Sequence, residues 1–136
     1  EKVAEVENEE RKYINLPFDS DVKIFRDTLD ELTSSWQDAS FKVLWVIAEP
    51  SGLKTHFWHN IPSKTSDDEI NNEYDLRIEI PSYAIQRLVR GDYPMGGVTI
   101  RNGVVRCHRY VKGLTKKESA YWELTANFKY KKASMN

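Results

Sequence analysis

The stretch FKVLWVIA, Phe41–Ala48, constrains this chain more than any other, because it is rich in β-branched and aromatic residues and apolar on both sides. Successive side chains of a strand point to opposite faces. Such a segment is stable as a strand only where both faces are covered, so it predicts the well-buried middle of a sheet. Glu49-Pro50-Ser51-Gly52 follows as a turn, with proline presetting φ and glycine relieving the last position. The chain returns through Leu53–Ile61 (LKTHFWHNI). There Leu53, Thr55, Phe57 and His59 share one face, and His56 and Trp58 share the other. The two segments make a hairpin.

A helix over 20–37 precedes the hairpin. Asp19, Ser20 and Asp21 offer capping oxygens and place negative charge at the favoured end of the helix dipole. Val22, Phe25, Leu29, Leu32 and Trp36 recur at spacings of three and four, an apolar stripe that needs a sheet to cover. After the hairpin, residues 62–73 have the composition of a surface loop. Tyr74–Ile80 then alternates, with Tyr74, Leu76, Ile78 and Ile80 inward and Asp75, Arg77 and Glu79 outward. Pro81-Ser82 caps a short helix whose buried side is Ala84, Ile85, Leu88 and Val89 and which ends at Gly91. Asn102-Gly103 joins strands Val98–Arg101 and Val104–Tyr110. Thr115-Lys116-Lys117-Glu118 is a capping box that opens a last helix running to about Tyr130.

The predicted fold class is therefore α+β: a mainly antiparallel five-stranded sheet covered by helices. Residues 1–17 read as a charged N-terminal tail, 18–130 as one domain and 131–136 as a loose C-terminal tail. With a single cysteine, Cys107, no internal disulfide can form, and a reducing, cytoplasmic location is expected. No apolar run approaches the ~20 residues of a membrane span, so no integral membrane association is expected. A net charge of −1 supplies no field to draw the chain to nucleic acid. Basic residues do gather late, from Arg101 and Arg106 to Lys131 and Lys132, and read as a solvated face. The chain starts Glu-Lys without methionine, which leaves open a fragment or subunit of something larger.

Candidate chemistry is sparse. Of the three histidines, His56 and His59 stand three apart on a strand and fall on opposite faces, and His108 could reach either only through tertiary contact. Neither a metal site nor a cofactor is expected. Cys107 and its neighbour His108 point to opposite sides, so the cysteine reads as a small half-buried sheet residue. The aromatic store is the more informative anomaly: four tryptophans and five phenylalanines, with Trp36, Trp45, Phe57 and Trp58 around the first helix and hairpin. It fits a plain core or a core that leaves room for an apolar ligand.

From Phe41 to Tyr110 the chain resembles the sterol carrier protein 2 family of lipid-binding domains. The resemblance lies in the helix and hairpin (FKVLWVIAEPSGLKTHFWHNI), the strand and short helix leading to a Gly-Asp loop (YDLRIEIPSYAIQRLVRGDYPM), and the next strand (GGVTIRNG). Asp75-Leu76-Arg77-Ile78, Leu88–Gly91 and Pro94-Met95 fall where that family has its acidic-hydrophobic strand, its small helix ending at glycine and its Pro-Met loop. The resemblance implies a non-catalytic carrier of an apolar small molecule or lipid, with Phe25, Leu29, Trp45, Phe57, Leu88 and Met95 lining the site. The chain departs from the family in its Asn-Gly hairpin and aromatic last helix. Two other readings stand beside it. One is an accessory subunit or appended domain that docks a protein partner within a larger enzyme, the other a weak His-centred metalloenzyme.

Overall fold

The structure, a computed structural model, describes residues 18–90, 106–109 and 115–126. Among them the element order is α1 (Asp19–Leu32), β1 (Phe41–Ala48), β2 (Lys54–Ile61), β3 (Thr65–Ser66), β4 (Leu76–Pro81), α2 (Ser82–Val89), β5 (Arg106–Arg109) and α3 (Lys116–Thr125). The strands form one sheet in the order β3-β2-β1-β4-β5. The doubly apolar segment sits at its centre, as both its faces demand. β1 pairs antiparallel with β2, from Phe41 opposite Ile61 to Ala48 opposite Lys54. On its other side it pairs parallel with β4, from Val43 opposite Leu76 to Ala48 opposite Pro81. β3 and β5 close the two edges antiparallel. The sheet is thus mostly antiparallel, with one parallel pair.

One face carries the main core. Val43, Trp45 and Ile47 of β1, Phe57 and Ile61 of β2, and Leu76, Ile78 and Ile80 of β4 pack there with Phe25 and Leu29 of α1, Ala84, Ile85, Leu88 and Val89 of α2, and Tyr121 of α3. The predicted stripes of α1 and α2 therefore face the sheet. Leu44, Val46 and Trp58 form a smaller cluster on the opposite face, with Tyr74 against it. The segment between β3 and β4 is tied to that face: Trp58 Nε1 donates to the Glu69 carbonyl at 3.1 Å, and a His56 ring nitrogen meets the Asp68 carbonyl at 2.7 Å.

Several expectations need correction. α1 stops at Leu32, not at residue 37, with Thr33 as its C-cap; Trp36 lies beyond the helix, 6.1 Å from the Phe41 ring. No side chain caps its start, and Asp21 instead bonds Arg90 at the end of α2 at 3.0 Å. Tyr74 packs on the outer cluster, not inward, because regular strand geometry starts only at Leu76. Pro81, not Ser82, occupies the cap position of α2. Residues 62–73 are not all loop, since Thr65 and Ser66 pair with His59 and Trp58. The five strands thus include β3, which was unforeseen. Val98–Arg101, Met95, Gly91 and the Asn102-Gly103 turn lie outside the described residues. The capping box of α3 is present, with Thr115 Oγ1 accepting from the Glu118 amide at 3.1 Å.

Candidate binding core and its buried polar chain

Phe25, Leu29, Trp45, Phe57 and Leu88, five of the six residues assigned to ligand, come together in the main core, each at most 1% exposed. Strand alternation puts Trp45 and Phe57 on the same face, and register puts them opposite each other, with near-parallel rings 6.1 Å apart. Phe25 reaches down from α1 and sets its ring edgewise on Trp45 at 5.1 Å and on Phe57 at 6.1 Å. Edge-to-face contact at this range is a favourable aromatic geometry. It also leaves no passage for a hydrocarbon chain between Phe25 and Trp45. The Arg26 guanidinium covers the Phe57 ring at 5.1 Å and joins the aromatic cluster to an open groove of about 460 Å³ between α1 and β3. Charged side chains dominate that groove, among them Lys23, Asp27, Asp30, Lys64 and Asp67.

A buried polar chain that no sequence pattern announced lies beside the aromatic cluster. His59 is 0% exposed; its two ring nitrogens meet groups from α3 and from the end of α1, and β1 is reached through Tyr121. Its Nδ1 lies 2.9 Å from Tyr121 Oη and its Nε2 lies 3.0 Å from Thr33 Oγ1. Trp45 Nε1, which can only donate, gives its hydrogen to Tyr121 Oη at 2.9 Å. Thr33 Oγ1 spends its own hydrogen on the Leu29 carbonyl at 2.9 Å. One proton arrangement satisfies every member. Trp45 donates to Tyr121, Tyr121 donates to Nδ1 of a neutral His59, and Nε2–H donates to Thr33. Burial holds the His59 ring neutral, pulling its pKa from 6.5 down to about 4 against the opposing pull of Asp30, whose Oδ1 is 3.7 Å away. Burial likewise raises the Tyr121 phenol. Inward direction in the strand was legible for His59, and an inward imidazole needs a partner. That the partner is a tyrosine on the last helix depends on tertiary packing.

α3 has a second polar anchor on β5. Glu118, 2% exposed, accepts from Arg109 through both oxygens, Nε to Oε1 at 2.6 Å and Nη2 to Oε2 at 2.7 Å, and from Trp122 Nε1 at 2.9 Å. This fork-on-fork pairing is the strong form of an ion pair. Arg109, one of the late basic residues, is therefore spent on the fold.

The remaining candidates do not assemble a reaction centre. His56 is on the opposite face from His59, and His108 is exposed on β5. Among the described residues no group of three His, Cys, Asp or Glu side chains could hold a metal ion. Cys107 is half-buried, and burial pushes its thiol up, away from the reactive thiolate. No described helix is long and apolar enough to cross a membrane.

Helices on one face of this strand order match known structures. Sterol carrier protein 2 from Yarrowia lipolytica, in its apo form, superposes over 73% of this chain and 87% of its own, with TM-score 0.52 and 12% identity. Sterol carrier protein 2 like 2 from Aedes aegypti covers 78% and 94%, with TM-score 0.54 and 11% identity. This is the sterol carrier protein 2 fold. A Thermus thermophilus protein described as possibly a sterol carrier protein covers 90% of both chains at TM-score 0.50 and 15% identity. At the level of sequence, no family model and no curated protein matches. The sterol carrier resemblance seen in the residues thus extends beyond Phe41–Tyr110 as a shared fold.

Proposed function

We propose that this chain is a non-catalytic binding module for a small apolar ligand of lipid or acyl type. The observation that carries the reading is the fold shared with two sterol carrier proteins. The buried Phe25–Trp45–Phe57 cluster supports it, because this cluster supplies apolar surface between helix and sheet. Phe25, Leu29, Trp45, Phe57, Leu88 and Met95 form the proposed lining. Because Phe25 and Trp45 touch, ligand enters by parting helix from sheet and replacing ring–ring contacts with ring–chain contacts. Binding is driven by removing methylenes from water, worth about 0.8 kcal/mol each, or roughly fourfold in affinity per carbon.

A titration with saturated fatty alcohols of increasing length, followed by tryptophan fluorescence, tests this. Affinity is expected to climb by up to about fourfold per methylene until the site is full. The Trp45→Asp variant, shown by its thermal melt to be folded, is expected to lose binding. Affinity independent of chain length, or undiminished in folded Trp45→Asp protein, would overturn the assignment of this core as the site.

A further inference from the structure

The chain Trp45–Tyr121–His59–Thr33 runs from a proposed lining residue to the end of α1 and passes through α3. Each member has one donor pointing one way, so the chain works only while the His59 Nδ1 lone pair is free to accept. A proton placed there meets the Tyr121 hydrogen head-on. Tyr121 could turn its hydrogen aside and accept from both Trp45 and His59. Its own O–H, in a residue 0% exposed, would then lack its present acceptor. Protonation therefore sets a buried charge and a stranded donor against the seat of α3.

We propose that this chain is an acid-released latch: with His59 neutral it holds α3 on the aromatic core, and a proton on His59 frees the helix and opens the core to ligand exchange. The consequence for ligand rests on the binding-module reading; release of the helix does not.

The groups facing the imidazole set the strength of the switch. From α1 come Asp30 and Thr33, and Asp30 is itself held by the Thr65 amide at 2.8 Å and Thr65 Oγ1 at 3.1 Å. Arg26, over Phe57, bonds Thr65 at 3.2 Å and Asp67 at 2.6 Å. From β1 come Val43, opposite His59 in register, and Trp45 through Tyr121. From α3 comes Tyr121, while Glu118 one turn away is neutralised by Arg109. Among the described residues, Asp30 is the one nearby charge that favours the imidazolium. It reaches the Nε2 side at 3.7 Å and leaves the Nδ1 conflict untouched.

The sign follows from linkage. In the latched form His59 titrates at about 4, whereas a released ring titrates near 6.5. The released form binds more protons between those values. Latching is therefore complete above pH 6.5, weakens as pH falls toward 4 and changes no further below it. The full swing is on the order of 300-fold in the latched-to-released ratio.

Hydrogen exchange of the Lys116–Thr125 amides in the full chain, corrected for intrinsic rates, reads the latch without any ligand. Between pH 7 and pH 4.5, α3 protection is expected to fall on the order of 50-fold while α2 protection holds. In the non-titrating His59→Gln variant α3 protection should no longer depend on pH. Undiminished wild-type protection, or the same loss in His59→Gln, overturns the latch. Should that variant fail to fold, the His59 ring signal in wild-type protein decides. Its titration must coincide with α3 opening, and a ring that titrates while α3 stays protected also overturns the proposal. The same samples loaded with a fluorescent fatty alcohol separate the two claims. Failure to bind at pH 7 sinks the binding reading and leaves the exchange result standing, whereas binding without acid-dependent exchange sinks the latch alone.

Discussion

His56 and His59 stand three residues apart on one strand, yet their surroundings have almost nothing in common. His59 points to the helix-covered face, has no contact with water and is wired to Tyr121 and Thr33. His56 points to the other face, is half-buried and meets one loop carbonyl. The two faces differ in the same way. Among the described residues the inner face is closed by three helices, and its polar chain is paired through side chains from distant parts of the sequence. The outer face is closed over Leu44, Val46 and Trp58 by a loop whose Asp68 and Glu69 carbonyls meet His56 and Trp58 and whose Asp75 carboxylate accepts from the Lys42 amide at 2.8 Å. A covering held by side-chain chemistry can be switched by changing one proton.

Substitutions on the two faces should separate accordingly. Phe57→Ala removes a buried ring and its contacts with Phe25 and Trp45, and is expected to cost about 3–5 kcal/mol in urea unfolding. A loss under about 1 kcal/mol would mean that the cluster is not the packed centre of the domain. His59→Ala strands Tyr121 and Thr33 and should cost roughly 2–3 kcal/mol at pH 7, whereas His56→Ala should cost no more than about 1 kcal/mol. Equal costs for the two histidines would erase the distinction between the faces.

Much of the inner face was legible in the sequence because it follows from periodicity. β1 is apolar on both sides, α1 repeats at three and four, and β4 alternates, so each element declares which side it buries. The Thr115–Glu118 capping box declares itself too, since its bond is local. What was not legible depends on distant partners. Thr65-Ser66 has no apolar alternation and becomes a strand only by pairing with His59 and Trp58. α1 ends at Leu32 although the apolar spacing runs on to Trp36. Thr33 there turns its hydroxyl to Leu29 and His59. The parallel pairing of β4 with β1 is a matter of topology, as alternation alone does not give direction. The polar chain joins residues 62 and 76 positions apart, Tyr121 to His59 and to Trp45, and no local pattern links them.

On the proposed reading, the helix-covered face of this sheet accommodates an apolar molecule. Native mass spectrometry of gently purified chain, followed by solvent extraction, tests it most directly. Lipid-sized mass additions are expected that vanish on extraction and return when the extract is added back. Protein that carries no such addition and takes up none from a mixture of fatty acids, alcohols and sterols would contradict it. A stoichiometric protein partner found in place of lipid would contradict it equally.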